Sequence, residues 1–157
     1  MIVLSRIDSR LIHGQVIEAW LPHLRVGRVV VADGATAGDA LAREVMGLAV
    51  PPQIQIVLAD PEALDFRALA ADDVRTLVLF RDVSAVLAAR ARGLPDGLLN
   101  VGNVHAGPGR TPVSRSVFLT DADRNDLRAL RTSGMQVVIQ AVPAEAPVSV
   151  AQITSAA

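Results

Sequence analysis

The sequence contains no cysteine and no lysine. The lack of cysteine excludes disulfides, thiolate metal sites and cysteine nucleophiles. The lack of lysine excludes Schiff-base chemistry and the lysine of a P-loop. All 15 basic residues are therefore arginines, and the formal net charge of -1 argues against a broad surface for nucleic acid. Histidine is left as the leading candidate for a reactive side chain.

Long hydrophobic runs are also missing, and no apolar run is long enough to cross a bilayer. The apolar start is too short for the core of a signal peptide and has no basic segment before it. We therefore expect a soluble, cytoplasmic protein. The content of 51% hydrophobic and 20% charged residues is typical of a globular chain, and 157 residues fit one domain spanning 1–157.

Short apolar runs rich in β-branched residues alternate with segments of helical period, which predicts βαβ units. The predicted strands cover 1–7, 28–33, 54–59, 75–80, 98–103, 116–120 and 135–142, and the predicted helices cover 14–23, 36–49, 61–70, 83–92 and 121–132. We expect an α/β fold: a single-domain, open, mostly parallel doubly wound sheet with helices on both faces. A glycine- and proline-rich stretch predicts a small hairpin near residues 104–116, and the tail from residue 143 is expected to fray at its end.

The most informative stretch is "IDSRLIHGQV", which follows the first predicted strand. His13 directly precedes Gly14 and a helical run, so its imidazole is expected at a helix N-terminus. Free backbone N–H groups and the helix dipole make that position an anion site. The same loop lies beyond the carboxyl end of a strand, where open α/β sheets bind ligands.

These residue types fit a phosphohistidine. Imidazole is a good nucleophile near neutral pH, and Asp8 could fix its tautomer. A guanidinium from Arg6 or Arg10 could bind two phosphoryl oxygens, because its planar fork matches them. The spacing of His13 alone also fits a solvated or capping histidine, so both interpretations stay open at this point.

The other histidines suggest less. His23 follows a proline at a helix end and is best explained as a capping residue, while His105 lies in a glycine-rich turn. The three histidines form no pair with metal-ligand spacing, so no metal and no cofactor are predicted. The stretch "GNVHAGPG" lacks the strand, turn and helix of a dinucleotide fingerprint, which disfavours a nucleotide-binding domain.

The motif "RIDSRLIHGQV" closely resembles the signature of the IIB component of the mannose/fructose/sorbose family of the phosphoenolpyruvate-dependent sugar phosphotransferase system (PTS). Further blocks resemble that family in the same order, among them "RVVVADG", "LLNVGNVHAGPGRTPVSRSVFLT" and "GMQVVIQAVP". The resemblance covers nearly the whole chain. It implies an open, mainly parallel α/β sheet with the active histidine after the first strand.

The resemblance also implies a reaction and partners. His13 would accept a phosphoryl group from a phosphorylated IIA protein and pass it to a sugar entering through the membrane subunits IIC and IID. The protein would thus be a phosphohistidine–sugar phosphotransferase, cytoplasmic and peripheral to the inner membrane where it meets those subunits. A homodimer is a further candidate assembly. A regulatory module that uses the same phosphorylation as a signal, without sugar transport, is the alternative.

The implied site centres on His13 as the phosphorylated residue, with Arg10 and Asp8 beside it. The set of predicted phosphate contacts is Arg6, Gly14, Gln15 and Ser84. Many relatives carry a serine or threonine after the fourth strand, where this chain has Arg81 and Asp82, with Ser84 a little later.

Overall fold

The structure is a computed structural model that describes residues 1–151. It contains a main sheet and a small hairpin. The strands are β1 Ile2–Asp8, β2 Arg28–Ala32, β3 Gln55–Ala59, β4 Thr76–Phe80, β5 Leu98–Asn103, β6 Thr111–Pro112, β7 Phe118–Leu119, β8 Gln136–Ile139 and β9 Val148–Ser149. The seven-stranded sheet has the order β3-β2-β4-β1-β5-β8-β9. Its pairs are parallel except for β9, which pairs antiparallel with β8 and was not predicted. The mostly parallel sheet is confirmed.

The helices are α1 Leu21–Leu24, α2 Gly34–Ala37, α3 Ala40–Ala49, α4 Phe66–Ala71, α5 Val83–Ala91 and α6 Asp121–Thr132. The prediction for 121–132 is confirmed in full, but the helix predicted over 36–49 is two helices. The split occurs because the Asp39 carboxylate accepts hydrogen bonds from the backbone N–H groups of Leu41 and Ala42, which starts α3 with a new cap. The segment predicted over 61–70 divides similarly into a 3-10 turn, Pro61–Ala63, and α4.

The sheet is covered on both faces, as the near-continuous apolar strands predict. Side chains alternate between two buried clusters along each central strand. In β4, Val78 and Phe80 belong to one cluster, whereas Leu77 and Leu79 belong to the other. The first cluster includes residues of α4, α5 and α6, and the second includes Trp20 and other residues that follow β1. The doubly wound arrangement is therefore confirmed.

This two-sided cover places a crevice at the end of β1. The helix after β1 packs on one face, while α5 after β4 and α6 after β5 pack on the other. Since β1 lies between β4 and β5, the connections diverge around its carboxyl end. Such a switch point is where open α/β sheets bind ligands.

Two local predictions need correction. The predicted hairpin is present, since β6 pairs antiparallel with β7, but it spans Thr111–Leu119 and so lies a little later in the chain than 104–116. The run predicted as a strand over 116–120 therefore belongs to this hairpin and only touches the main sheet's end through a bridge from Val104 to Val117. The expected fraying of the tail lies outside the described residues.

The helix after β1 is also irregular. It begins at about Gly14, passes through a π-helical turn, Val16–Trp20, and ends as α1. Pro22 lies within it and has no N–H group to donate to the preceding turn, which favours a local change in helix winding. Over residues 1–151, no helix is both long enough and apolar enough to span a membrane.

Candidate functional site

The loop after β1 is a tight turn anchored in the core. The Leu11 N–H donates to the Asp8 carbonyl at 3.0 Å, and the Arg10 N–H donates to Asp8 Oδ1 at 3.0 Å. Leu11 has a φ of 57°, a left-handed conformation that is uncommon outside glycine. Its side chain is fully buried, and Ile12 is nearly so. The apolar pair therefore fixes a strained turn between the strand and His13.

His13 caps the helix that follows. Its carbonyl accepts the first helical hydrogen bond, from the Ile17 N–H at 3.1 Å. Its Nε2 lies 2.9 Å from Asp8 Oδ2, and the imidazole is only 9% exposed. Asp8 is completely buried. Its carboxylate can accept a hydrogen bond but cannot donate one, so this contact favours the histidine tautomer with the proton on Nε2. The unprotonated nitrogen is then Nδ1.

Arg6 binds the Asp8 carboxylate in the interior of the protein. Both Nε and Nη2 of Arg6 donate to Asp8 Oδ2, at 3.2 and 3.1 Å. The remaining N–H groups donate to Asn100 Oδ1, Gln15 Oε1 and the carbonyls of Gln140 and Ala141. Burial lowers the pKa of Arg6, although the neighbouring Asp8 opposes that shift. An arginine keeps its charge despite such a shift.

Arg6, a predicted phosphate contact, is buried in this structure. The guanidinium has no exposed surface, and every N–H group already has an acceptor. Its Cζ also lies 5.0 Å from the centroid of the Trp20 ring. Arg6 is therefore a buried cation that fixes Asp8, and a phosphoryl group would have to displace several hydrogen bonds to reach it.

Two further predicted contacts have other partners. The side-chain oxygen of Gln15 faces inward to Arg6 Nη2 at 2.9 Å, so that oxygen belongs to the buried network. The Ser84 hydroxyl donates to Asp82 at 2.8 Å. Ser84 also lines a cleft with four carboxylate side chains, namely Asp33, Asp60, Glu62 and Asp82, and such a lining repels phosphate. Among the described residues no hydrogen bond joins Ser84 to His13, and the role of Ser84 as a phosphate contact stays a prediction.

Arg10 and Gly14, two more predicted site residues, have open surroundings. Arg10 is exposed, and within residues 1–151 its guanidinium has no hydrogen bond or ion pair. A Cβ added at Gly14 would meet nothing within 4 Å, so the start of the helix has open space beside it. The loop before His13 therefore carries an exposed cation, and the helix after it begins with backbone N–H groups that have no partner within the helix.

The sequence interpretation missed the partners of Arg6 and left Arg81 without a role. Asn100 is a fully buried polar residue in the middle of β5, and it pairs with Arg6 in register between β5 and β1. That polar position in a buried strand was the available signal. The contributions of Gln140 and Ala141 had none, because they come from backbone carbonyls.

The comparisons with known proteins concern the family and the fold of this chain. The family model for the PTS system sorbose subfamily IIB component matches residues 2–157. This chain belongs to that family. It is 32% identical to the N-acetylgalactosamine-specific phosphotransferase enzyme IIB component 2 of Escherichia coli K12, covering 92% of both chains. The resemblance seen in the sequence is therefore confirmed, and the protein is a IIB component, a phosphotransfer subunit of a sugar PTS.

Two further similarities extend the comparison. The structure of the IIBSor domain of the sorbose permease from Klebsiella pneumoniae matches this IIB component with a TM-score of 0.89 at 26% identity, over 100% of this chain and 98% of that one. The mannose-specific EIIAB component of Escherichia coli K12 is 26% identical, over 90% of this chain and 45% of that protein. The first of these confirms the fold independently of the motif.

Proposed function

We propose that this IIB component carries a phosphoryl group on Nδ1 of His13, received from a phosphorylated IIA protein and passed to a sugar during uptake through IIC and IID subunits. The contact of 2.9 Å between His13 Nε2 and the buried Asp8 carboxylate carries the proposal. It assigns different roles to the two ring nitrogens. Nε2 donates a proton to Asp8, and Nδ1 keeps the lone pair that attacks phosphorus.

Charge around the loop supports the same role. The Arg10 guanidinium is exposed and can offer two N–H groups to two phosphoryl oxygens. The first backbone N–H groups of the helix, beginning at Gly14, supply further donors. Phosphoryl transfer depends mainly on positioning and charge neutralisation, and these groups provide both.

The first transfer step is balanced without a net proton. The bond from phosphorus to the imidazole of the IIA phosphohistidine breaks while a bond forms from phosphorus to His13 Nδ1. In the second step, a sugar hydroxyl oxygen attacks the same phosphorus, the bond to Nδ1 breaks, and the hydroxyl proton is released. The name of the similar EIIAB component supports a IIA partner, because it combines A and B in one protein.

The test is phosphorylation of the purified protein by phosphoenolpyruvate, the general carrier proteins and a cognate phosphorylated IIA. We expect one phosphoryl group on His13, mapped by mass spectrometry under non-acidic conditions. Antibodies or ³¹P NMR that distinguish the two phosphohistidine isomers should assign it to Nδ1. Addition of membranes that contain IIC and IID, with sugar, should discharge it.

The chain offers matched controls, because it has only three histidines. His13→Ala should abolish labelling, whereas His23→Ala and His105→Ala should retain it. Label that persists in His13→Ala would reject the assignment. Labelling of His13 without discharge to any sugar, in a genome that lacks IIC and IID genes, would favour the regulatory alternative.

A further inference from the structure

Arg81 connects three loops at the carboxyl edge of the sheet. It directly follows β4, which lies between β2 and β1. Its Nε and Nη2 donate to the two carboxylate oxygens of Asp33, the residue after β2, at 3.1 and 2.9 Å. Nη2 also donates to Thr36 Oγ1 at 3.0 Å, and Nη1 donates to the Ser9 carbonyl at 3.3 Å. One guanidinium thus joins the β2 loop to the loop that carries His13.

The Ser9 carbonyl belongs to the same peptide unit as the Arg10 N–H. Arg81 binds the oxygen end of that unit, and Asp8 Oδ1 accepts from the nitrogen end at 3.0 Å. The other oxygen of Asp8 accepts from His13. A continuous chain of hydrogen bonds therefore runs from the Arg81 guanidinium through one peptide to the carboxylate that sets the histidine tautomer.

Ser9 is also fixed from the opposite side. Its N–H donates to the Asn103 carbonyl at 2.8 Å, and its hydroxyl oxygen accepts from the His105 N–H at 3.2 Å. Among the hydrogen bonds of residues 1–151, Arg81 therefore provides the only one from the β4 side to Ser9, which Asn103 at the end of β5 and His105 after it hold from the other side. Removing Arg81 would leave the carbonyl of the Ser9–Arg10 peptide without a hydrogen bond among the described residues, so that only its N–H, bound to Asp8, would hold the peptide.

We propose that Arg81 is a positioning residue for phosphoryl transfer in this protein, acting through the Ser9–Arg10 peptide on Asp8 and on the direction of the Arg10 side chain. Arg81 fixes the carbonyl end of this peptide, and the N–H at its other end fixes Asp8 Oδ1, so the carboxylate keeps the orientation in which Oδ2 faces His13. Asp33 in turn raises the pKa of Arg81 through its hydrogen bonds, although partial burial opposes this shift. The inference rests on the proposed function of His13.

The role requires a fork and not only a charge. Asp33 takes the Nε and Nη2 groups, and Ser9 takes Nη1, so three different nitrogens serve two sides. An ammonium is a point charge and cannot reproduce that planar arrangement. Arg81→Lys should therefore keep an ion pair with Asp33 while losing the tie to Ser9.

The experiment measures two quantities for Arg81→Ala and Arg81→Lys. The first is the rate of phosphoryl transfer from a phosphorylated IIA protein, which should fall about tenfold in both variants. The second is the tautomer of the His13 imidazole, read from its ring ¹⁵N shifts in the unphosphorylated protein. Its population should shift away from a proton on Nε2. The NMR measurement needs no phosphoryl donor, so it tests the positioning role even if the proposed transfer function fails.

Arg90→Ala is the matched control. Arg90 also forms an ion pair with an aspartate, Asp96, at 2.8 Å, but it lies at the end of α5 and before β5, at the opposite edge of the sheet. Arg90→Ala should leave both the His13 ring ¹⁵N shifts and the phosphoryl transfer rate of the folded protein unchanged. Unchanged His13 shifts in Arg81→Ala would overturn the proposal. So would an Arg81→Lys variant with the wild-type rate, since charge alone would then be sufficient.

Discussion

Arg6 and Asp8 form an ion pair of 3.1 Å in which neither side chain has any exposed surface. Two unpaired charges at this depth would be very unfavourable, so each residue depends on the other. The pair lies directly beneath His13, because the same oxygen of Asp8 accepts from both Arg6 and the imidazole. The buried Asp8 carboxylate, held by Arg6, thus orients the His13 imidazole.

Asp8→Asn tests two roles of Asp8, the orientation of the His13 imidazole and the neutralisation of the buried Arg6. The amide can donate an N–H to His13 Nε2, which would favour the tautomer with the proton on Nδ1 and close the attacking nitrogen. We expect phosphoryl transfer to fall at least about a hundredfold, as wrong-tautomer variants do. Loss of one partner of the buried pair should also lower the free energy of unfolding by about 3 to 5 kcal/mol.

Chemical denaturation and transfer rates at saturating IIA check this prediction. Leu127→Ala is the control. Leu127, in α6, is fully buried in the first apolar cluster, and its truncation should lower the free energy of unfolding by about 2 to 5 kcal/mol without changing a residue of the site. If both variants lose stability equally and Asp8→Asn transfers as fast as Leu127→Ala, the tautomer explanation is wrong.

Gly102→Ala should disturb the same cation from the β5 side. A Cβ at Gly102 would lie 2.0 Å from Arg6 Cζ and Nη1, so the guanidinium would have to move. Because those atoms are fixed by many hydrogen bonds, we expect a loss of about 1 to 3 kcal/mol of stability, typical of overpacking. The movement should also change the intrinsic fluorescence, since Trp20 is the only tryptophan and Arg6 lies over its ring.

Gly47→Ala provides the comparison for that measurement. Gly47 lies in α3, and an added Cβ there would meet nothing within 4 Å. It should leave fluorescence unchanged and stabilise the helix slightly, because alanine has the higher helix propensity. An unperturbed emission spectrum in Gly102→Ala would show that Arg6 does not need the space that glycine provides.

Periodicity and composition predicted the sheet and the position of His13, because buried parallel strands and a capped helix have strong local signals. The contact between Asp8 and His13 was also predictable, since the two residues are only 5 positions apart in the chain. The partners of Arg6 were not, because Asn100 and the carbonyls of Gln140 and Ala141 meet it only after β1, β5 and β8 assemble.

The ion pair between Asp33 and Arg81 should make the free energy of unfolding depend on pH. Burial alone would raise the pKa of Asp33, but its hydrogen bonds from Arg81 and Thr36 outweigh that effect and lower it. A lowered pKa means that the folded state binds the proton less readily than the unfolded state. The contribution is therefore present above the ordinary aspartate value of 3.8 and is lost as the pH falls below it.

Asp33→Asn should remove this contribution. We expect the variant to be less stable than wild type at pH 7, with a difference that shrinks as the pH falls from about 5 to about 3. Urea denaturation at several pH values measures the effect, and Asp39→Asn, which changes an exposed cap of α3, controls for a general change in charge. A stability difference that stays constant over this range would mean that Asp33 does not titrate as described.

Arg10→Lys tests the one cation of the loop that remains free. The exposed guanidinium has no partner within residues 1–151, so its replacement should leave the free energy of unfolding nearly unchanged. A phosphoryl group, however, would lose a contact to two of its oxygens, because an ammonium does not present two parallel N–H groups. We expect transfer to slow by about tenfold, a loss near 1.4 kcal/mol in transition-state stabilisation.

Transfer rates for Arg10→Lys are best compared with Arg131→Lys, an exposed arginine in the last turn of α6. Both substitutions keep the net charge, so a difference between them isolates the loop. Raising the concentration of phosphorylated IIA to saturation separates weaker docking from slower chemistry. A deficit that disappears at saturation would place Arg10 in the docking surface for IIA, whereas a deficit that persists supports its contact with the transferring phosphoryl group.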